Sequence, residues 1–180
     1  MNKFFVIVLA LGLFSCTPYM DDNDGHMDSF FFVSHKGADM PVMVEGNIES
    51  KKFVIVVHGG PGGTGWSYNS GDAFTILEES FAFVYYDQRG SGGASGTGEG
   101  WDYSRDQYAE DLNVIIQVIK SKYGDDIELY LLGHSWGGEL TTQYMINPEY
   151  QSQITGWINV GGGQWISDDR SGRYIPMRNN

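Results

Sequence analysis

Four apolar runs constrain the fold of this chain more than any other feature. They cover residues 53–57 (FVIVV), 81–86 (FAFVYY), 127–132 (IELYLL) and 154–160 (ITGWINV). A strand with one wet face alternates apolar and polar residues. A continuous apolar run fits a strand covered on both faces, as in a parallel sheet. Helical patterns lie between the runs. Residues 72–79 give a short one. Residues 105–123 give a long one, in which Ser104 and Gln107 have capping-box spacing. Leu112, Ile115, Ile116 and Ile119 then form an apolar stripe at helical spacing, and Gly124 stops the helix. Residues 136–147 give a third helix, ended before Pro148. Residues 30–33 and 40–44 read as a hairpin around Lys36, Gly37, Ala38 and Asp39. Strands alternating with helices predict an α/β fold with a largely parallel sheet. The glycine-rich stretch 90–100 reads as a flexible loop.

Length and composition narrow the function. A chain of 180 residues bounds the answer to about one domain. With 41% hydrophobic and 14% aromatic residues it is not a disordered tail. Eleven Lys and Arg against 23 Asp and Glu give a net charge of −12, which excludes the basic footprint of a nucleic-acid binder. A single Cys excludes an intrachain disulfide and a multi-cysteine metal site.

The N-terminus reads as a targeting segment. Residues 4–14 form an apolar run of 11, short of the roughly 20 that a spanning helix needs but suited to a secretory signal. Ser15 and Cys16 follow directly, and the stretch resembles the lipobox of bacterial lipoproteins. That resemblance implies a signal peptide over 1–15, acylation of Cys16 and attachment to a membrane of the cell envelope; several acyl chains would anchor stably. Residues 16–28 read as an acidic tether whose run from Asp21 to Asp24 resembles a surface-export signal and equally fits a solvated linker.

Three glycine-flanked sites follow three of the apolar runs. Gly133-His134-Ser135-Trp136-Gly137 is a G-x-S-x-G between a strand and a helix, the setting of a nucleophile elbow. There Ser135 is the candidate nucleophile and the backbone N–H of Trp136 a candidate oxyanion donor. His58-Gly59-Gly60-Pro61-Gly62-Gly63 follows the run 53–57. Its glycines let backbone N–H groups approach a substrate oxygen; Gly60 is the expected second donor, with Gly59 as the alternative. His58 reads as a loop-shaping residue. Asp87-Gln88-Arg89-Gly90-Ser91-Gly92 is the third site, and Asp87 with Arg89 reads as a structural ion pair. A rival reading takes Gly60, Gly62 and Gly65 as a G-x-G-x-x-G with Asp87 as the ribose acid 22 residues on. Pro61 opposes it, because it removes an N–H from the loop that would cradle phosphate. A P-loop is excluded, since no Lys-Ser/Thr pair closes the loop.

The three motifs in this order resemble the proline iminopeptidase branch of the α/β-hydrolase superfamily, over about residues 30–163. The resemblance implies a serine hydrolase that needs no cofactor and releases an N-terminal residue, typically proline, from a short peptide. It implies Ser135 as nucleophile and Trp136 with Gly60 as oxyanion hole. In the family a helical cap, a triad Asp and a triad His come next. Here 45 residues follow Ser135, none of them His, and Asp168 and Asp169 fall where a cap would begin, over 164–180. No triad Asp or His is assigned from this chain. The expectation is the N-terminal part of a longer enzyme, truncated before the cap and last strands, with an exposed sheet edge and little activity by itself. Rescue by His26, His35, His58 or His134 is a lesser expectation. The alternatives are a non-catalytic, lipid-anchored binding protein derived from a hydrolase and, third, a dinucleotide-binding domain.

Overall fold

The computed structural model describes residues 27–69, 72–97 and 102–163. The expected signal peptide, Cys16, His26, most of the expected tether and the expected cap start at 164–180 lie outside the described residues. The first strand begins at Met27, two residues inside the stretch read as tether.

The described elements are β1 (Met27–His35), β2 (Ala38–Gly46), β3 (Lys52–Val57), α1 (Asp72–Glu78), β4 (Ala82–Tyr86), β5 (Ser95–Gly96), α2 (Arg105–Tyr123), β6 (Glu128–His134), α3 (Trp136–Met145), α4 (Pro148–Gln151) and β7 (Gly156–Val160). The sheet order is β1-β2-β4-β3-β6-β7. β4, β3, β6 and β7 run parallel, and β1 and β2 join antiparallel at the β4 side. The turn from β1 to β2 is made by Lys36 and Gly37, both at positive φ (45° and 77°), which matches the twist of a two-residue hairpin.

The two-sided strands are where the apolar runs predicted them. Phe53, Ile55 and Val57 pack with Leu112, Ile115, Ile116 and Ile119 of α2 on one face. Val54 and Val56 pack with Phe83, Tyr85 and the aromatic loop residues Trp66 and Tyr68 on the other. The run at 154–160 departs from that pattern. β7 has only β6 beside it among the described residues, and Trp157, Ile158 and Val160 are exposed. Among the described residues it is an edge strand.

Two local readings are corrected. Ser104 Oγ does accept the N–H of Gln107 (3.2 Å), but the return half of the capping box is absent: Ser104 N–H donates to Asp102 instead, and Gln107 Nε2 donates to Asp111. Within the glycine-rich stretch read as flexible, Ser95 and Gly96 pair with Asp39 and Ala38 as the short strand β5.

Candidate active site

Sheet order brings the glycine-flanked sites together. β3 lies between β4 and β6, so the loops leaving all three converge at one end of the sheet. Ligands of parallel α/β sheets bind at that carboxyl end.

Ser135 stands at the junction of β6 and α3, exposed, with φ 53° and ψ −120°. Few L-residues adopt that region, and holding one there costs on the order of 1–3 kcal/mol. The surrounding glycines explain how the turn is held. A Cβ on Gly137 would lie 1.8 Å from the carbonyl oxygen of Val57. A Cβ on Gly133 would lie 2.5 Å from the carbonyl oxygen of Gly137. The first turn of α3 therefore presses directly on the end of β3, and side chains at those positions would push it away. Ser135 N–H donates to the carbonyl of Val160 (2.9 Å), which ties the elbow to β7. Trp136 is the first residue of α3, where backbone N–H groups have no helical carbonyl to meet.

The loop after β3 lies against this elbow. A Cβ on Gly59 would be 3.2 Å from Ser135 Cβ, so the loop backbone packs closely against the nucleophile elbow. The N–H of Gly59 donates to the Tyr68 hydroxyl (3.1 Å), and the same hydroxyl is 2.6 Å from His134 Nδ1. The Gly59 N–H is thus engaged within the loop.

His58 is fully buried and shapes the loop. Its Nε2 faces the backbone N–H of Gln88 (3.1 Å) and must accept. The ring proton is therefore on Nδ1, which donates to the carbonyl of Gly59 (2.8 Å). Burial holds its pKa below the ordinary 6.5. His35 is turned to Asp111 (2.8 Å) and His134 to Tyr68. Among the described residues, no histidine hydrogen-bonds Ser135.

The third motif is built differently from its sequence reading. Asp87 and Arg89 do not pair. The buried Asp87 carboxylate accepts from Thr64 Oγ1 (2.8 Å), Gly65 N–H (2.7 Å) and Gly93 N–H (2.6 Å). It pins the loop after β3 to its own loop. Arg89 turns the other way and holds Asp111 of α2 through Nε and Nη2 (2.7 Å for the latter). The dinucleotide reading loses its ribose acid, because Asp87 is committed inside the protein. Gly65 opens only a short 3-10 turn, Gly65–Tyr68.

Tyr68 and Gln88 are site residues that the sequence reading missed. The signal for Tyr68 was an aromatic residue within reach of a glycine-rich loop. Gln88 stood inside a quoted motif and was given no role.

Comparison with known proteins agrees with this geometry. Residues 48–177 match the family described as Serine aminopeptidase, S33. The chain belongs to the serine aminopeptidase S33 family. Within that family it is proline iminopeptidase-like, and the α/β-hydrolase fold and hydrolase class follow. A proline iminopeptidase of Chitinophaga pinensis is 34% identical over 110 residues, 60% of this chain and 34% of the relative. One from Saccharolobus solfataricus is 32% identical over 117 residues, 63% and 34%. The chain thus spans about a third of the length of these relatives. Among solved structures, the proline iminopeptidase of Mycobacterium smegmatis superposes with TM-score 0.60 at 21% identity, over 74% of this chain and 44% of that one. An esterase from Exiguobacterium antarcticum gives 0.63 at 24%, over 83% and 51%. These two likenesses concern the fold.

Proposed function

We propose that the protein carrying this S33 chain is a serine peptidase that releases an N-terminal residue, with proline preferred, from short peptides. The observation that carries the reading is Ser135 held at positive φ at the head of α3, beside the Gly59-Gly60 backbone. Its relatives bear the name proline iminopeptidase.

The chemistry follows from the parts. Ser135 Oγ attacks the carbonyl carbon of the first residue and gives its proton to a general base. The oxyanion that forms accepts N–H bonds from Trp136 and Gly60, where preorganised donors lower the barrier. The C–N bond then breaks, the amine of the remaining peptide leaves with that proton, and the aminoacyl group stays on Ser135. Water releases it. A hydroxyl is a weak nucleophile without a base. The reading therefore requires a base from outside the described residues.

The test is hydrolysis of aminoacyl arylamides by the full-length protein. Proline arylamide turnover, abolished by Ser135→Ala, is the expected result. Equal turnover by the Ser135→Ala variant would overturn the assignment.

The same proposal places the protein at a membrane through acylated Cys16. Among the described residues no helix is long and apolar enough to cross one. Metabolic labelling with an alkyne fatty acid should mark the wild type and not Cys16→Ser; equal labelling of both would remove the anchor.

A further inference from the structure

An oxyanion hole made by two separate segments has a spacing problem. One donor belongs to the loop after β3 and the other to the first turn of α3. Each must lie about 2.7–3.1 Å from one oxygen, and a small shift of either loses the bond. Something must set their separation.

The buried Gln88 side chain connects the two segments. Its Nε2 donates to the carbonyl oxygen of His58 (3.0 Å), the residue just before Gly59. Its Oε1 accepts from the indole Nε1 of Trp136 (2.9 Å). The atom types leave no choice: an indole N–H only donates and a carbonyl only accepts, so the amide has one workable orientation. The backbone N–H of Gln88 makes a third bond, to His58 Nε2 (3.1 Å). Gln88 is only 1% exposed, so water does not compete for these bonds. The Trp136 ring is further held edge-on against Tyr108, with centroids 5.6 Å apart.

We propose that Gln88 is a positioning residue that fixes the distance between the two oxyanion donors, through His58 on one side and the Trp136 indole on the other. It touches neither substrate nor Ser135 in this role. The inference rests on the hydrolase reading for its consequence, but its geometric content is separate.

The experiment uses the full-length protein and a fluorophosphonate probe, whose phosphonyl oxygen stands in for the oxyanion. Wild type, Gln88→Met, Trp136→Phe and the double variant are compared. Trp136→Phe keeps the backbone donor and removes only the indole. The maximum labelling rate should fall about 10- to 100-fold in each single variant, below the 10²–10³-fold cost of deleting a donor outright. Probe affinity should hardly change. The double variant should be no slower than the worse single one, because both cut the same connection. Gln88→Glu adds a signature that a packing role lacks. Its protonated carboxyl can still donate to the His58 carbonyl, and its ionised form cannot. The ratio of its rate to the wild-type rate should therefore rise as pH falls.

A second readout needs no chemistry. In protein labelled with ¹⁵N-glycine and ¹⁵N-tryptophan, Gln88→Met should shift the amide signals of both Gly60 and Trp136. Unmoved signals, or fully additive rate losses, would overturn the proposal. A reactive wild type whose rate ignores Gln88→Met would remove the positioning role and leave the hydrolase reading intact. A wild type that never reacts, but whose two amides respond to Gln88→Met, would remove the hydrolase reading and leave the connection standing. Should Gln88→Met fail to fold, Trp136→Phe and Gln88→Glu decide the matter from the other end.

Discussion

Ser135 pays for its exposed position with a backbone that few residues tolerate (φ 53°), and Gly137 is what makes that position reachable. A methyl group on Gly137 would meet the Val57 carbonyl at 1.8 Å, and both partners are backbone. Neither can rotate away. Gly137→Ala should therefore cost stability at the upper end of the overpacking range, about 3 kcal/mol, read as a lower denaturant midpoint. A midpoint within error of wild type would mean that the elbow does not press on β3. Tyr68 makes a subtler prediction. Its hydroxyl occupies Gly59 N–H and leaves Gly60 as the proposed oxyanion donor. Tyr68→Phe frees that N–H and releases His134. Losing one such bond is worth about 1 kcal/mol, so kcat for proline arylamide should drop by roughly 5- to 10-fold with KM little changed. An unchanged kcat would show that the hydroxyl does not set the loop.

Among the elements, α2 ties the apolar core to the loops around the site. Its apolar stripe covers one face of the sheet, and its Asp111 gathers three partners, two of them from elsewhere in the chain. The carboxylate holds Arg89 from the loop after β4, His35 from the end of β1 and Gln107 from its own helix. Arg89 and Asp111 are 1% and 2% exposed. Asp111→Asn would leave a buried guanidinium without its anion, which costs about 3–5 kcal/mol. Thermal unfolding should report a loss of that size; a loss under about 1 kcal/mol would mean that water reaches Arg89. The elements also show where sequence reading succeeds. β3 and β4 were legible because two-sided burial demands apolar residues at every position. β7 was read as a two-sided strand, and among the described residues it has only β6 beside it, with Ile158 and Val160 exposed. The elbow was legible because contacts like that of Gly137 force glycine into the sequence. Asp87 and Arg89 were misread as a pair because two residues close in sequence can turn to different elements. The partners Thr64, Gly65 and Asp111 lie 22 to 23 residues away, where no periodicity points.

For the whole molecule, the site is a seam between three loops, and buried polar groups close it. The His58 imidazole is one of them, fully buried. Burial lowers its pKa, so the unfolded chain binds a proton more readily than the folded one. Stability contributed by neutral His58 is present above pH 6.5. It is lost as pH falls from 6.5 toward the folded-state value. NMR titration should find the His58 ring still neutral at pH 6.5; a ring half-charged there or higher would contradict its place in the seam. His58 also marks the limit of what one sequence shows. Its loop-shaping role followed from its order relative to Ser135, but Gln88, which joins it to Trp136, required the fold.

The central claim is that Ser135 is a nucleophile. The direct measurement is peptide mapping of the full-length protein after exposure to a fluorophosphonate. The account predicts one phosphonyl adduct, on the peptide containing Ser135, and none in Ser135→Ala. A folded protein with no adduct, or with the adduct on another residue, would contradict it.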